Sequence, residues 1–182
     1  YSGILLGFKH LNVMRIPGNK ATRPCPCGYA GDPNGRCRCT PPLIRRYLAK
    51  LSGPLLDRID MHVEVPRLAY EVLAATAQPP ERSCAVAARV AAARKRQRER
   101  GALNARLEIA ALQRASALGV REHGLLESAS RRLGLSARAC HRIVRIARTI
   151  ADLGGQERVG VAQLSEAIGY RRLDREPLIA TG

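Results

Sequence analysis

Aromatic residues are almost missing from this 182-residue chain, which has five tyrosines, one phenylalanine (Phe8) and no tryptophan. That scarcity argues against a single-strand platform built on exposed rings, where successive bases stack on aromatic faces. Lysine is nearly absent too, with only Lys9, Lys20, Lys50 and Lys95. No apolar run reaches the length of a membrane span, and no secretory signal with a small-residue cleavage site opens the chain. A soluble, cytoplasmic protein without a membrane partner is expected. The four histidines (His10, His62, His123, His141) show no metalloprotease or metal-ligand spacing, and no serine sits in a nucleophile elbow. Tyr1 reads as mid-sequence, so a piece of a longer protein is expected.

What the chain has in abundance is arginine. Lys+Arg number 31 against 15 Asp+Glu, a formal net charge of +16. Such an excess favours polyanionic partners, nucleic acid before acidic lipid, because cations displace counterions condensed on phosphate. An arginine-rich, lysine-poor proteome is the plainer explanation, and composition alone does not separate the two. The densest run lies in the helical segment AVAARVAAARKRQRER, where Arg94, Lys95, Arg96 and Arg98 are candidate phosphate contacts, flanked by Arg89 and Arg100.

Cysteine is concentrated. Four of six fall in CPCGYAGDPNGRCRC, residues 25–39, as the pairs Cys25/Cys27 and Cys37/Cys39 around a glycine-rich turn. Disulfides belong to oxidising compartments, so closely spaced thiols in a chain without export signals favour a metal. Tetrahedral zinc on four thiolates is the first choice; free thiols in a tight loop, and disulfide or redox chemistry, stay open, since C-x-C is tighter than the usual C-x2-C knuckle. Cys84 and Cys140 are isolated in helical patterns and read as small apolar residues.

The chain divides into four stretches: a divergent segment 1–23, an α/β region 24–67 containing the cysteine loop, a linker 68–83, and a helical domain 84–178. In the first, ILLGF suggests a short strand before the PGN turn. In the second, Thr40 precedes Pro41-Pro42 as an N-cap, and LIRRYLAKLSG runs helically to Gly53. IDMHVEVP then alternates, with Ile59, Met61, Val63 and Val65 expected inward and Asp60, His62 and Glu64 outward. The helical half is punctuated at Gly101, Gly134 and Gly154-Gly155, and Ser136 is a candidate N-cap. Over 136–153, Ala139, Ile143, Ile146, Ala147 and Ile150 form an apolar stripe, with Arg138, Arg142 and Arg145 on an adjacent, solvated face.

Taken together, PCPCGY, CRCTP and YLAKLSGPLLDRID, followed by RVAAARKRQRERGALNARL, LSARACHRI, ARTIADL and LSEAIGYRR, resemble the magnesium-chelatase-like AAA+ ATPases of the ComM/YifB branch over residues 24 to about 173. The resemblance implies part of an AAA+ α/β core followed by an all-α C-terminal domain, predominantly helical. It further implies a hexameric ring with ATP and Mg2+ between subunits, and, for this branch, DNA as the substrate of a branch-migrating helicase in natural transformation. Arg58 falls where the family's arginine finger sits, and Arg138 matches the sensor-2 arginine that contacts nucleotide. On the residues alone, a surface pairing of Arg58 with Asp57 or Asp60 stays open, and Arg138 is equally well read as part of a solvated face.

Departures matter too. The Gly-rich phosphate loop with its Lys-Ser/Thr and the acidic Mg2+-binding strand end are absent from the 182 residues. The resemblance puts them upstream of Tyr1, so the chain is not expected to hydrolyse ATP by itself. Arg23 stands where the family's sensor-1 asparagine should be, and residues 1–22 depart from the family's strand, which suggests a divergent or misjoined beginning. Two other classes stay in view: a small zinc-loop and helical module that binds nucleic acid without ATPase chemistry, and an inactive remnant.

Overall fold

The structure, a computed structural model, describes residues 3–7, 20–22, 25–32, 35–50, 59–65 and 81–171. It separates into two compact units: Tyr1–Thr76 with Tyr170–Gly182, and Ala77–Gly169.

In the first unit, three short strands form one sheet: β1 (Gly3–Gly7), β2 (Lys20–Thr22) and β3 (Met61–Val65). Their order is β2-β1-β3, both pairs antiparallel, with Leu5 opposite Ala21 on one side and Val63 on the other. Residues 4–7 of ILLGF thus lie in a strand, and a central one, while Phe8 lies outside the described residues. Helix-connected α/β cores pair strands in parallel. The AAA+ core expected over 24–67 is therefore not established by these strands. Helix α1 (Pro41–Leu48) begins after Thr40, whose carbonyl accepts from Ile44 N–H while its side chain makes no cap bond. It uses the two prolines where the missing N–H groups cost nothing. Leu48 is its buried residue and Leu43 is exposed; Leu51 and Gly53 lie outside the described residues.

The alternation expected in β3 is altered at one position. His62, expected outward, is 2% exposed, whereas Met61 and Val63 are half-buried. Its neighbours come from the far end of the chain: His62 N–H donates to the Tyr170 carbonyl at 2.7 Å, and the buried Arg171 donates to the Ile59 carbonyl. Desolvation first, and the Arg171 charge second, push the His62 pKa down to about 4.

The second unit is all helical: α2 (Ser83–Glu99), a 3-10 turn (Asn104–Arg106), α3 (Ile109–Ser116), α4 (Val120–Leu133), α5 (Ala137–Leu153) and α6 (Val161–Gly169). Sequence punctuation explains the breaks. Gly134 closes α4 at φ 60°, a left-handed position that costs glycine little. Two residues later Ser136 Oγ accepts the Ala139 N–H at 3.2 Å and opens α5. At α4 the start is earlier than LLESASRRLG suggests, because Glu122 reaches back to the Gly119 N–H at 3.1 Å.

Helix α5 is the axis, packing against α2, α3 and α6, while α4 packs on α6. Ala139, Ile143, Ile146 and Ala147 of the expected stripe are buried and Ile150 is half-buried. With Leu164, Ala167 and Ile168 of α6 and Leu112 of α3, they make an aliphatic core without aromatics. No helix among the described residues is long and apolar enough to cross a membrane.

Candidate functional site

The cysteine loop is assembled by short-range turns. Gly28 N–H returns to the Cys25 carbonyl, Asp32 N–H to Tyr29, and Gly35 N–H to Asp32, each at 3.0 Å. Gly28 and Gly31 take φ of 83° and 78°, left-handed positions that let the chain wrap twice within a few residues. The result brings Cys25, Cys27, Cys37 and Cys39 together, with all four sulfurs within 4.8 Å of one another. Cys25 Sγ lies 3.8 Å from Cys37 Sγ, and Cys27 Sγ 3.7 Å from Cys37 Sγ. Four sulfurs about 2.3 Å from a tetrahedral centre are about 3.8 Å apart, so these separations suit a tetrathiolate metal. The 3.2 Å approach of Cys25 and Cys27 is the one contact that must open.

Electrostatics point the same way. Backbone N–H groups of Tyr29 and then Arg38 bring the Cys27 thiol down to about 6. Cys37 and Cys39 resist ionisation. The Cys39 N–H lowers Cys37, and the Cys27 backbone lowers Cys39, but desolvation and the neighbouring sulfurs outweigh both. Cys37 ends above its ordinary value and Cys39 is pushed up to about 11. Sulfurs this close cannot all be anionic unless a cation sits among them. The Ala30 N–H, 3.3 Å from Cys25 Sγ, adds a donor of the kind that supports a metal thiolate.

The other expected site residues are scattered. Arg58 lies outside the described residues. Arg138 is exposed in the first turn of α5, just after the Ser136 cap. On α2, Arg94 and Arg98, one turn apart, are exposed and make no ion pair among the described residues, whereas Lys95 approaches Glu99 at 3.9 Å. Arg96 bends inward and donates to the Asp152 carbonyl at 3.1 Å, and Arg89 pairs with Glu81 at 2.7 Å.

Arg142, expected on a solvated face, is 8% exposed. More unexpected is Arg148, which is fully buried beside fully buried Asp152 at 2.9 Å. Asp152 also accepts both terminal nitrogens of Arg100, at 2.7 and 2.5 Å, and Asn104 Nδ2 at 2.7 Å. Arg148 gives its other terminal N–H groups to the carbonyls of Ala115, Gln156 and Glu157, while its Nε has no hydrogen-bond partner among the described residues. Burial alone would raise the Asp152 pKa, but bonds from Arg100 and Asn104 and the Arg148 charge hold it below the usual carboxylate range. Its centre, Arg148 with Asp152, is enclosed, so its work is to lock α2, α3 and α5 together. The spacing of Arg148 and Asp152 at i, i+4 was a visible signal, but an equally good one for a surface pair.

Residues 80–171 match the family described as magnesium chelatase, subunit ChlI C-terminal, and residues 15–73 match magnesium chelatase, subunit ChlI. The chain belongs to the magnesium chelatase ChlI-like family. Within that family its relatives are of the ComM/YifB kind. It is 43% identical over 157 residues to the competence protein ComM of Haemophilus influenzae, 42% to the uncharacterized protein YifB of Salmonella typhimurium and 41% to YifB of Escherichia coli. Each of these alignments covers 85% of this chain and 30% of the relative, so the chain spans about a third of the length of the curated proteins it matches. The ChlI C-terminal match runs along the helical unit. The ChlI match reaches back to residue 15, into the segment 1–23 that looked divergent, and includes the cysteine loop and Arg58.

Proposed function

We propose that these residues form the C-terminal portion of a ComM/YifB-type AAA+ ATPase, a hexameric ring motor acting on DNA, and that residues 24–67 belong to its α/β core. The observation that carries the reading is Arg138: an exposed guanidinium in the first turn of α5, the most tightly held helix of the unit matched to ChlI C-terminal. A helix N-terminus offers unpaired N–H groups and a positive dipole end, so an arginine there is suited to phosphate. In this role Arg138 contacts nucleotide and transmits its presence to the helical unit along α5. Arg58, in LLDRID, serves as the arginine finger, reaching the phosphates held by a neighbouring subunit and neutralising charge that develops during phosphoryl transfer. ATP and Mg2+ are held mainly by the phosphate loop and acidic strand end of the same ATPase. The helical run with Arg94, Lys95, Arg96 and Arg98 contributes phosphate contacts to DNA, led by the unpaired Arg94 and Arg98. ComM is named as a competence protein, and action on DNA during natural transformation follows as the biological setting.

The cysteine loop holds structural zinc. Its four ligands leave no open coordination position for a substrate, so the metal shapes the loop and takes no part in hydrolysis.

The test is ATP turnover by this chain mixed with the phosphate-loop portion of the same ATPase, for wild type, Arg58→Ala and Arg138→Ala. Removal of an arginine finger lowers turnover on the order of a thousandfold or more. Equal rates for wild type and Arg58→Ala would remove the finger assignment. DNA binding with no turnover in any mixture would favour a nucleic-acid-binding module instead, a reading to which the unpaired Arg94 and Arg98 are equally suited.

A further inference from the structure

The outer edge of the cysteine loop carries a second basic surface, separate in sequence from α2. Along residues 36–40 exposure alternates strictly: Arg36 exposed, Cys37 half-buried, Arg38 exposed, Cys39 half-buried, Thr40 exposed. Extended chain turns successive side chains to opposite sides, so two thiols directed at the metal position require Arg36 and Arg38 to face away from it. At about 3.3 Å per residue, the two arginines stand about 6.6 Å apart. Helix α1 follows directly in the chain, and its Arg45 and Arg46 are exposed. From Gly35 to Lys50 there is no acidic residue.

The two loop arginines are held differently. Arg36 is anchored, bonded to Asp32 at 2.6 Å and lying over the Tyr29 ring at 4.8 Å. Arg38 is anchored only by its backbone, whose N–H faces the Cys27 sulfur, and its side chain is exposed. No ion pair reaches Arg38, Arg45 or Arg46 among the described residues. Such a charge, exposed and unneutralised on a backbone tied at the loop, is open to a phosphate.

We propose that Arg38, with Arg45 and Arg46, forms a phosphate-binding strip for the nucleic-acid backbone, and that the four-cysteine site holds this strip in shape. The inference rests on DNA being the partner of this family member and adds a contact surface to it. With almost no aromatic side chains to stack on bases, the strip grips backbone and is indifferent to sequence.

The experiment is fluorescence anisotropy of labelled single- and double-stranded oligonucleotides over a salt series, using the zinc-loaded chain. Arg38→Ala, Arg45→Ala and Arg46→Ala combined should reduce the magnitude of the log–log salt slope by about 2 to 3, since each lost phosphate contact removes about 0.7–0.9. Arg121→Ala with Arg132→Ala, exposed on α4, should leave the slope as it was. Should the combined variant fail to fold or lose zinc, Arg38→Gln alone should still lower the slope by about 0.7–0.9. If wild type binds and the Arg38 variants keep its slope and affinity, the strip is refuted while the DNA reading stands. If wild type binds neither oligonucleotide, both fall. Capture by phosphatidylserine vesicles in preference to oligonucleotides, lost in the combined variant, would overturn the proposal in favour of a lipid surface.

Discussion

Asp152→Ala removes the carboxylate on which the buried Arg148 of the helical unit depends. The wild-type carboxylate accepts four hydrogen bonds, two from Arg100, one from Arg148 and one from Asn104. Arg100 is 27% exposed along its side chain and can turn to water, but Arg148 is fully buried and cannot. Alanine therefore leaves an enclosed guanidinium without its counter-charge, a loss of about 3–5 kcal/mol. Against a domain stability of about 5–15 kcal/mol, that is a large fraction. For a unit of this size, about 4 kcal/mol corresponds to a fall in melting temperature of roughly 15–30 °C. Urea unfolding followed by far-ultraviolet circular dichroism measures it, because the helical unit dominates the signal. The mechanism makes a second demand. Replacing both partners, Arg148→Met with Asp152→Leu, removes the stranded charge and should recover much of the loss, so the double variant is more stable than Asp152→Ala. A melting temperature for Asp152→Ala within about 2 °C of wild type, or a double variant no better than the single one, would refute the account.

Two other outcomes are expected. Elemental analysis of protein purified without chelator or oxidant should find one zinc per chain, and Cys25→Ser or Cys39→Ser should lower it sharply; all six thiols, Cys84 and Cys140 included, titrating in metal-free, folded protein would rule the site out. His62 makes the first unit acid-sensitive. Its folded pKa, about 4, lies below the unfolded value of about 6.5, so between these pH values the unfolded chain holds a proton that the folded chain lacks. Its stabilising contribution is complete above about pH 6.5 and falls by about 3 kcal/mol as pH drops to about 4. Urea midpoints from neutral pH downward should fall less steeply for His62→Phe than for wild type, and parallel curves would contradict the assignment.

The helical unit was legible where local chemistry decides structure. Gly134 and Ser136 end and begin helices through bonds made within a few residues, and CPC with CRC brings four thiols together through a short loop. Legibility stopped where burial depends on distant partners. Arg142 and Arg148 look like surface residues in any helical pattern, because a sequence cannot display acceptors from other helices. Arg100, Asn104 and Asp152 meet across 48 and 52 residues. His62 was assigned outward by simple alternation, yet Arg171, bonded to a carbonyl 112 residues earlier, helps enclose that side of the strand. The family resemblance rested on motifs spread along the chain, and for that reason it survived these local misassignments.

The Arg148 side chain also limits how this unit could be recombined. An aliphatic contact accepts a neighbour of similar size from any relative. A guanidinium committed to Asp152 and to three carbonyls, at Ala115, Gln156 and Glu157, accepts only a partner backbone that presents oxygens at those points. A chimaera that imports α5 alone therefore brings a lock without its key. One that moves the whole stretch from Arg96 to Glu157 keeps the acceptors of Arg148 and the donors to Asp152 together. The transferable module in this protein is defined by one buried charge and reaches well beyond any single helix.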